Sequence, residues 1–174
     1  MKTRILFLIV LFMSITLSAQ EMKTFTKNNY TIDYPATWAS SEQKVQPSVQ
    51  FIILSDESTQ AKDKFRENLN LSKESLRGQK ISTSEYAKIS LDQVKAQIPN
   101  ANIISNEPVT INGIEGEQII WSADFGNSMV LKFNQFIFTR GDSGYALTFS
   151  STVSEYDDYV KAADAMMKSF KFVN

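Results

Sequence analysis

Gly141-Asp142-Ser143-Gly144 has the residue order found around the nucleophile of serine proteases, and it overlaps Arg140-Gly141-Asp142, an adhesion tripeptide. A serine hydroxyl is a weak nucleophile at neutral pH unless a positioned base takes its proton, and in that chemistry the base is histidine. The chain has no histidine. Lysine is the alternative base, and Ser41-Glu42-Gln43-Lys44 has Ser-x-x-Lys spacing, but the Ser-Asp-Asn and Lys-Thr-Gly partners of that arrangement do not occur. No catalytic residue is therefore assigned.

Absence of both histidine and cysteine also removes the usual ligands of zinc, copper and haem. Neither a metal nor a cofactor is expected. Carboxylates remain. Glu155, Asp157 and Asp158 gather at the start of a predicted helix, where the helix dipole favours negative charge without any catalytic role. Asp56, Glu57 and Asp63 could hold a weak calcium ion, although they lack EF-hand spacing. A glycosidase-like acid pair stays open, because such pairs meet only in space. The aromatic residues Trp38, Trp121, Phe133, Phe136 and Phe138 are enough to form a partner surface or to line a pocket for a small apolar ligand or lipid.

The elements that must position these residues begin after a leader. Lys2 and Arg4 precede an apolar-rich run from Ile5 to Leu17, followed by Ser18-Ala19-Gln20, the parts of a secretory signal peptide. Thirteen residues fall short of the roughly twenty needed to cross a bilayer. Cleavage near Ala19 is expected, with residues 20–174 forming one domain, secreted or periplasmic, with no stable membrane anchor. Loss of Lys2 and Arg4 takes the 18 basic residues to 16 against 19 acidic, a net charge of −3 that offers no basic patch for nucleic acid.

Period-two alternation predicts strands at Tyr30–Tyr34 and Phe65–Leu71, the latter with Glu67 among its apolar positions, and "FIIL" at 51–54 reads as apolar on both faces. "SDESTQAKDK" lacks periodic apolar residues and reads as an exposed loop. Ser82 with Glu85 has capping-box spacing, and Ala87, Leu91, Val94 and Ile98 form the stripe of a helix stopped by Pro99. From Ile103 the pattern becomes four strands joined by short turns at Asn112-Gly113, Gly126-Asn127 and Arg140–Gly144. A last helix is predicted to start at Ser154, with Tyr156, Val160, Ala163, Met167 and Phe170 on one face.

The succession of "YPATW", "FRENLNLS", "STSEYAKISLDQVK", "NGIEGEQIIW", "GYALTFSS" and "MMKSFKF" resembles the PsbP-like superfamily, which takes in the Mog-type Ran-binding fold and the DcrB-like envelope proteins. The resemblance implies an α+β fold, a central antiparallel β-sheet flanked by helices on both faces as an α/β/α sandwich. It also implies a non-catalytic accessory or binding role with a protein partner in the envelope or outside the cell. The histidine ligands of metal-binding PsbP proteins and the lipid-bearing cysteine of DcrB-like lipoproteins have no counterpart here, so no functional residue is carried over. Two further readings stand beside it: a small-ligand or lipid-binding protein, and a carboxylate-based hydrolase.

Overall fold

The structure is a computed structural model and describes residues 21–41 and 46–173. The expected leader with its expected cleavage point, and Glu42, Gln43 and Lys44 of the Ser-x-x-Lys motif, lie outside the described residues. The chain runs β1 (Met22–Lys27), β2 (Tyr30–Pro35), β3 (Ala39–Ser41), β4 (Val49–Leu54), a 3-10 turn (Glu57–Thr59), α1 (Gln60–Asp63), β5 (Asn68–Ser75), α2 (Thr83–Gln97), β6 (Asn102–Ile111), β7 (Ile114–Asp124), β8 (Val130–Arg140), β9 (Ser143–Thr152), α3 (Tyr156–Ser169) and β10 (Lys171–Phe172). Seven strands form an antiparallel sheet in the order β3-β4-β5-β9-β8-β7-β6. A second sheet, β1-β2-β10, has no counterpart in the sequence reading, because β1 and the two-residue β10 carry little pattern of their own.

Helix α2 covers one face of the large sheet over β7 and β8. Helix α3 and the small sheet cover the other face, over a core that contains Ile32, Phe51, Leu69, Phe138, Leu147 and Phe149. The expected sandwich is thus present, with one asymmetry. "FIIL" is fully buried on one side only: Phe51 and Ile53 are inaccessible, while Ile52 and Leu54 are half-buried because α2 lies over the other half of the sheet.

Central strand β9 explains the spacing of the layers. Tyr145, Leu147 and Phe149 point toward α3, whereas Gly144, Ala146, Thr148 and Ser150 alternate toward α2. Small residues on that side let the Tyr86 ring lie on the backbone of Gly144: a Cβ added there would sit 2.3 Å from the Tyr86 ring. The Tyr86 hydroxyl then donates to Glu74 Oε1 at 2.5 Å, and Ser82 caps α2 by accepting from the Glu85 N–H.

Two local expectations are corrected. "SDESTQAKDK" is ordered into the 3-10 turn and α1, because Asp56 accepts from the Ser58 N–H and caps the turn, and Lys64 ends α1 in the left-handed region at φ 64°. Helix α3 starts at Tyr156 with Glu155 rather than Ser154 at its cap; the Ser154 hydroxyl is engaged with Thr152. Phe125 lies beyond β7 and is exposed, since residues 126–128 all take positive φ. The Asn112-Gly113 turn is as expected, with φ of 48° and 77°.

Replacing Gly144 by Ala forces a methyl group into the Tyr86 ring, and the expected loss is about 1–3 kcal/mol of stability, read as a lowered urea midpoint at unchanged slope. An unaltered midpoint would show that the α2–β9 spacing is not set by this contact.

Candidate functional site

The corner between β8 and β9 holds both motifs that suggested chemistry. Asp142 is tied to the segment after β5: its Oδ1 accepts from the Gly78 N–H at 2.7 Å, its Oδ2 from the Ser75 hydroxyl at 3.2 Å, and its backbone carbonyl from the Leu76 N–H at 3.0 Å. Arg140 lies 3.8 Å over the Phe172 ring. Ser143 sits at the start of β9, paired with Arg140 and Ser75. Arg, Gly, Asp and Ser are thus employed in turning the sheet.

The five aromatic residues are divided by the large sheet. Trp121 stacks on Phe133 at 4.1 Å under α2, and its indole N–H donates to Gln135 Oε1 at 2.7 Å. Phe136 and Phe138 lie on the opposite face, 5.0 Å apart, and Trp38 meets Tyr159 edge-on in the same core cluster. They do not converge on one cavity. Phe136 does line a groove of about 320 Å³ between the β6–β7 hairpin and α3, with Val109, Ile111, Gln118, Asp164 and Met167. One wall is polar: Gln118 donates to Asn134 Oδ1, and buried Asn134 donates to Asp164 Oδ1. Gly116 leaves room for the Phe136 ring, because a Cβ there would lie 2.1 Å from it.

On the hairpin's other side, Ser82, Thr83, Pro108, Thr110, Glu115 and Glu117 line a second groove of about 510 Å³. Strand β6 itself is an edge strand of the large sheet, β3 being the other. A bulge between Ile103 and Ser105 switches its parity, so Ile103 packs under α2 while Val109 and Ile111 face α3. Ile104, within the bulge, is exposed.

A third assembly lies where β5, α1 and α3 meet. Asp63, Glu67 and Glu155 bring carboxylate oxygens within 4.8 Å of one another. Glu67 is inaccessible to solvent and Glu155 nearly so. Asp63 accepts from the Phe65 N–H and from the Thr152 hydroxyl, Glu67 Oε2 accepts from the Ser55 hydroxyl at 3.2 Å, and Lys62 Nζ lies 2.5 Å from Glu155 Oε1. Burial raises the Glu67 carboxyl above its ordinary range, and the nearby Glu155 charge adds to the rise. Of the acidic residues singled out from sequence, Asp56 caps the 3-10 turn and Glu57 faces Arg66, so the grouping of Asp56 and Glu57 with Asp63 is not what the fold assembles. Glu67 was legible only as a carboxylate in phase with Leu69 and Leu71.

This geometry can be set beside known proteins. The PsbP-like protein family profile matches residues 14–172. The chain belongs to the PsbP-like family. Its fold is similar to the cyanobacterial PsbP (CyanoP) of Synechocystis, at 13% identity and a TM-score of 0.63, covering 90% of this chain and 95% of that one. It is likewise similar to LpqN of Mycobacterium tuberculosis, described as involved in cell envelope biogenesis, at 14% identity, a TM-score of 0.63 and coverage of 88% and 91%. The Ran-binding protein Mog1p of Saccharomyces cerevisiae follows at 8% identity, a TM-score of 0.61 and coverage of 90% and 97%. Comparison with curated proteins returns no match.

Because Glu67 is held above its ordinary range in the folded PsbP-like domain, its ionisation opposes folding. The folded state keeps the proton to higher pH than the unfolded chain, so this cost is absent below the unfolded pKa, near 4.5, and complete above the folded one. Glu67→Gln is therefore expected to raise Tm at pH 7 by roughly 3–6 °C, with the gap closing toward pH 4. A gap independent of pH would contradict this assignment.

Proposed function

We propose that the protein acts, after export, as a non-catalytic accessory or binding protein engaging another protein in the cell envelope or outside the cell. The observation that carries this reading is strand β6: ten residues at the margin of the large sheet, with exposed Ile104 and a groove on each side of its hairpin. An open sheet edge accepts an extended segment of a partner through main-chain hydrogen bonds, and adjacent grooves select its side chains. Membership of the PsbP-like family supports the reading, as do the descriptions of LpqN in envelope biogenesis and of Mog1p in Ran binding. The leader read from residues 1–19 supports export. The lack of histidine and the structural employment of Asp142 and Ser143 weigh against hydrolysis.

The groove beside Phe136 favours a second reading, binding of a small amphipathic ligand, since its volume is at the lower end of ligand cavities and its wall combines Val109, Ile111 and Met167 with Gln118 and Asp164. Native mass spectrometry of protein isolated from its own cells separates the two: a constant added mass supports the ligand.

A photo-crosslinking residue at Ile104 is expected to capture one recurrent envelope neighbour in intact cells, and one at Lys88 on α2 is not. Ile104→Lys is expected to abolish co-purification of that neighbour without lowering Tm. Equal capture from both positions would remove β6 as the partner surface. Turnover of an ester, peptide or glycoside that is lost in Ser143→Ala would overturn the non-catalytic reading.

A further inference from the structure

We infer that Asp63, Glu67 and Glu155 form a calcium-binding site that the Lys62 ammonium guards from the solvent side. Calcium takes oxygen ligands at about 2.3–2.6 Å, so oxygens sharing one ion stand no more than about 5 Å apart. The three carboxylates satisfy this, with ligand atoms within 4.8 Å. Magnesium at about 2.0–2.1 Å demands a tighter, near-octahedral cage. Every side-chain donor in the cluster is oxygen, the hard ligand type that calcium prefers, and the Ser55 and Thr152 hydroxyls already touch Glu67 and Asp63.

Acidic residues gathered on a surface would mean little, but two of these are buried. Among the described residues, Glu67 Oε1 and Glu155 Oε2 have no hydrogen-bond partner, on side chains that are nearly or wholly inaccessible. Buried carboxylate oxygens are costly to leave unpaired, and a cation between them is the ligand that resolves the cost. Lys62 supplies one positive charge to Glu155, through a side chain that is 70% exposed and anchored only at its tip. Three carboxylates against one ammonium leave an excess of two negative charges, which one divalent cation neutralises. Asp63 and Thr152 also line a surface groove of about 390 Å³ with Ser154, so the outer member of the cluster borders solvent.

Protons compete with the cation, since calcium takes its carboxylate ligands in the ionised form. Calcium affinity must therefore fall as pH is lowered. Lys62 competes as well, by occupying Glu155 Oε1.

The test is isothermal titration of calcium chloride into the chelator-treated purified protein at neutral pH, with thermal unfolding at matched ionic strength alongside. The expected result is one equivalent bound with a Kd of about 10⁻⁴–10⁻³ M and a Tm rise of about 5 °C at saturating calcium, with a smaller effect from magnesium chloride. Glu67→Gln should weaken binding at least about ten-fold, a loss of one charged ligand. Lys62→Met should tighten binding, and Asp56→Ala should leave it unchanged. No calcium-dependent heat or Tm rise in either the wild type or Lys62→Met would overturn the site, whatever the fate of Glu67→Gln. Binding that survives Glu67→Gln but is lost in Asp56→Ala would equally overturn it, by placing the ion in the outer turn.

Discussion

Strand β9 lies fourth among the seven strands of the large sheet and is buried along nearly its whole length, so each of its faces must be covered. The two covers differ because the two faces differ. Toward α3 the strand presents Tyr145, Leu147 and Phe149, which need a deep layer, and α3 with the small sheet supplies Phe170, Met166 and Ile32. Toward α2 the alternation of Gly144, Ala146, Thr148 and Ser150 leaves a shallow surface onto which Tyr86 settles directly. Placement of α2, the β8–β9 corner and the segment after β5 follows from that contact, because Tyr86 is bonded to Glu74 and Asp142 is bonded to Gly78 and Ser75.

Much of this was legible before any coordinates. Alternation marked β2 and the four strands from β6 to β9, and it marked β5 too early in the chain, at Phe65–Leu71 against the observed Asn68–Ser75; the Ser82–Glu85 cap marked α2, and Asn112-Gly113 marked the hairpin. Those signals are local, and local signals survive folding. What escaped was set by partners distant in sequence. Strand β10 exists because Lys171 and Phe172 pair with Thr31 and Tyr30. The segment around α1 is ordered by Thr152, nearly ninety residues away, which takes hold of Asp63. The aromatic residues proposed together as one surface proved to lie on two sides of the sheet, since residues of odd spacing such as Phe133 and Phe136 in one strand face opposite ways. Glu67 was visible as an anomaly, a carboxylate on an apolar face, but its partner Glu155 could be found only in space.

The fold therefore concentrates its unusual chemistry in two places. One is the junction of α1, β5 and α3, where carboxylates are buried at the end of the sheet that β5 helps to form. The other is a lateral margin, where β6 ends the sheet with a bulge and an open edge. Bulges and prolines such as Pro108 are devices that restrain an edge from indiscriminate pairing, so an edge that carries them admits a selected partner rather than any strand.

A rigid, doubly covered centre flanked by an available margin is the central claim, and backbone amide hydrogen exchange of the isolated protein measures it most directly. The account predicts the slowest exchange in β9 and β8, at a rate tracking global unfolding, and faster local exchange in β6. Protection of β6 equal to that of β9, or local opening of β9 ahead of global unfolding, would contradict it.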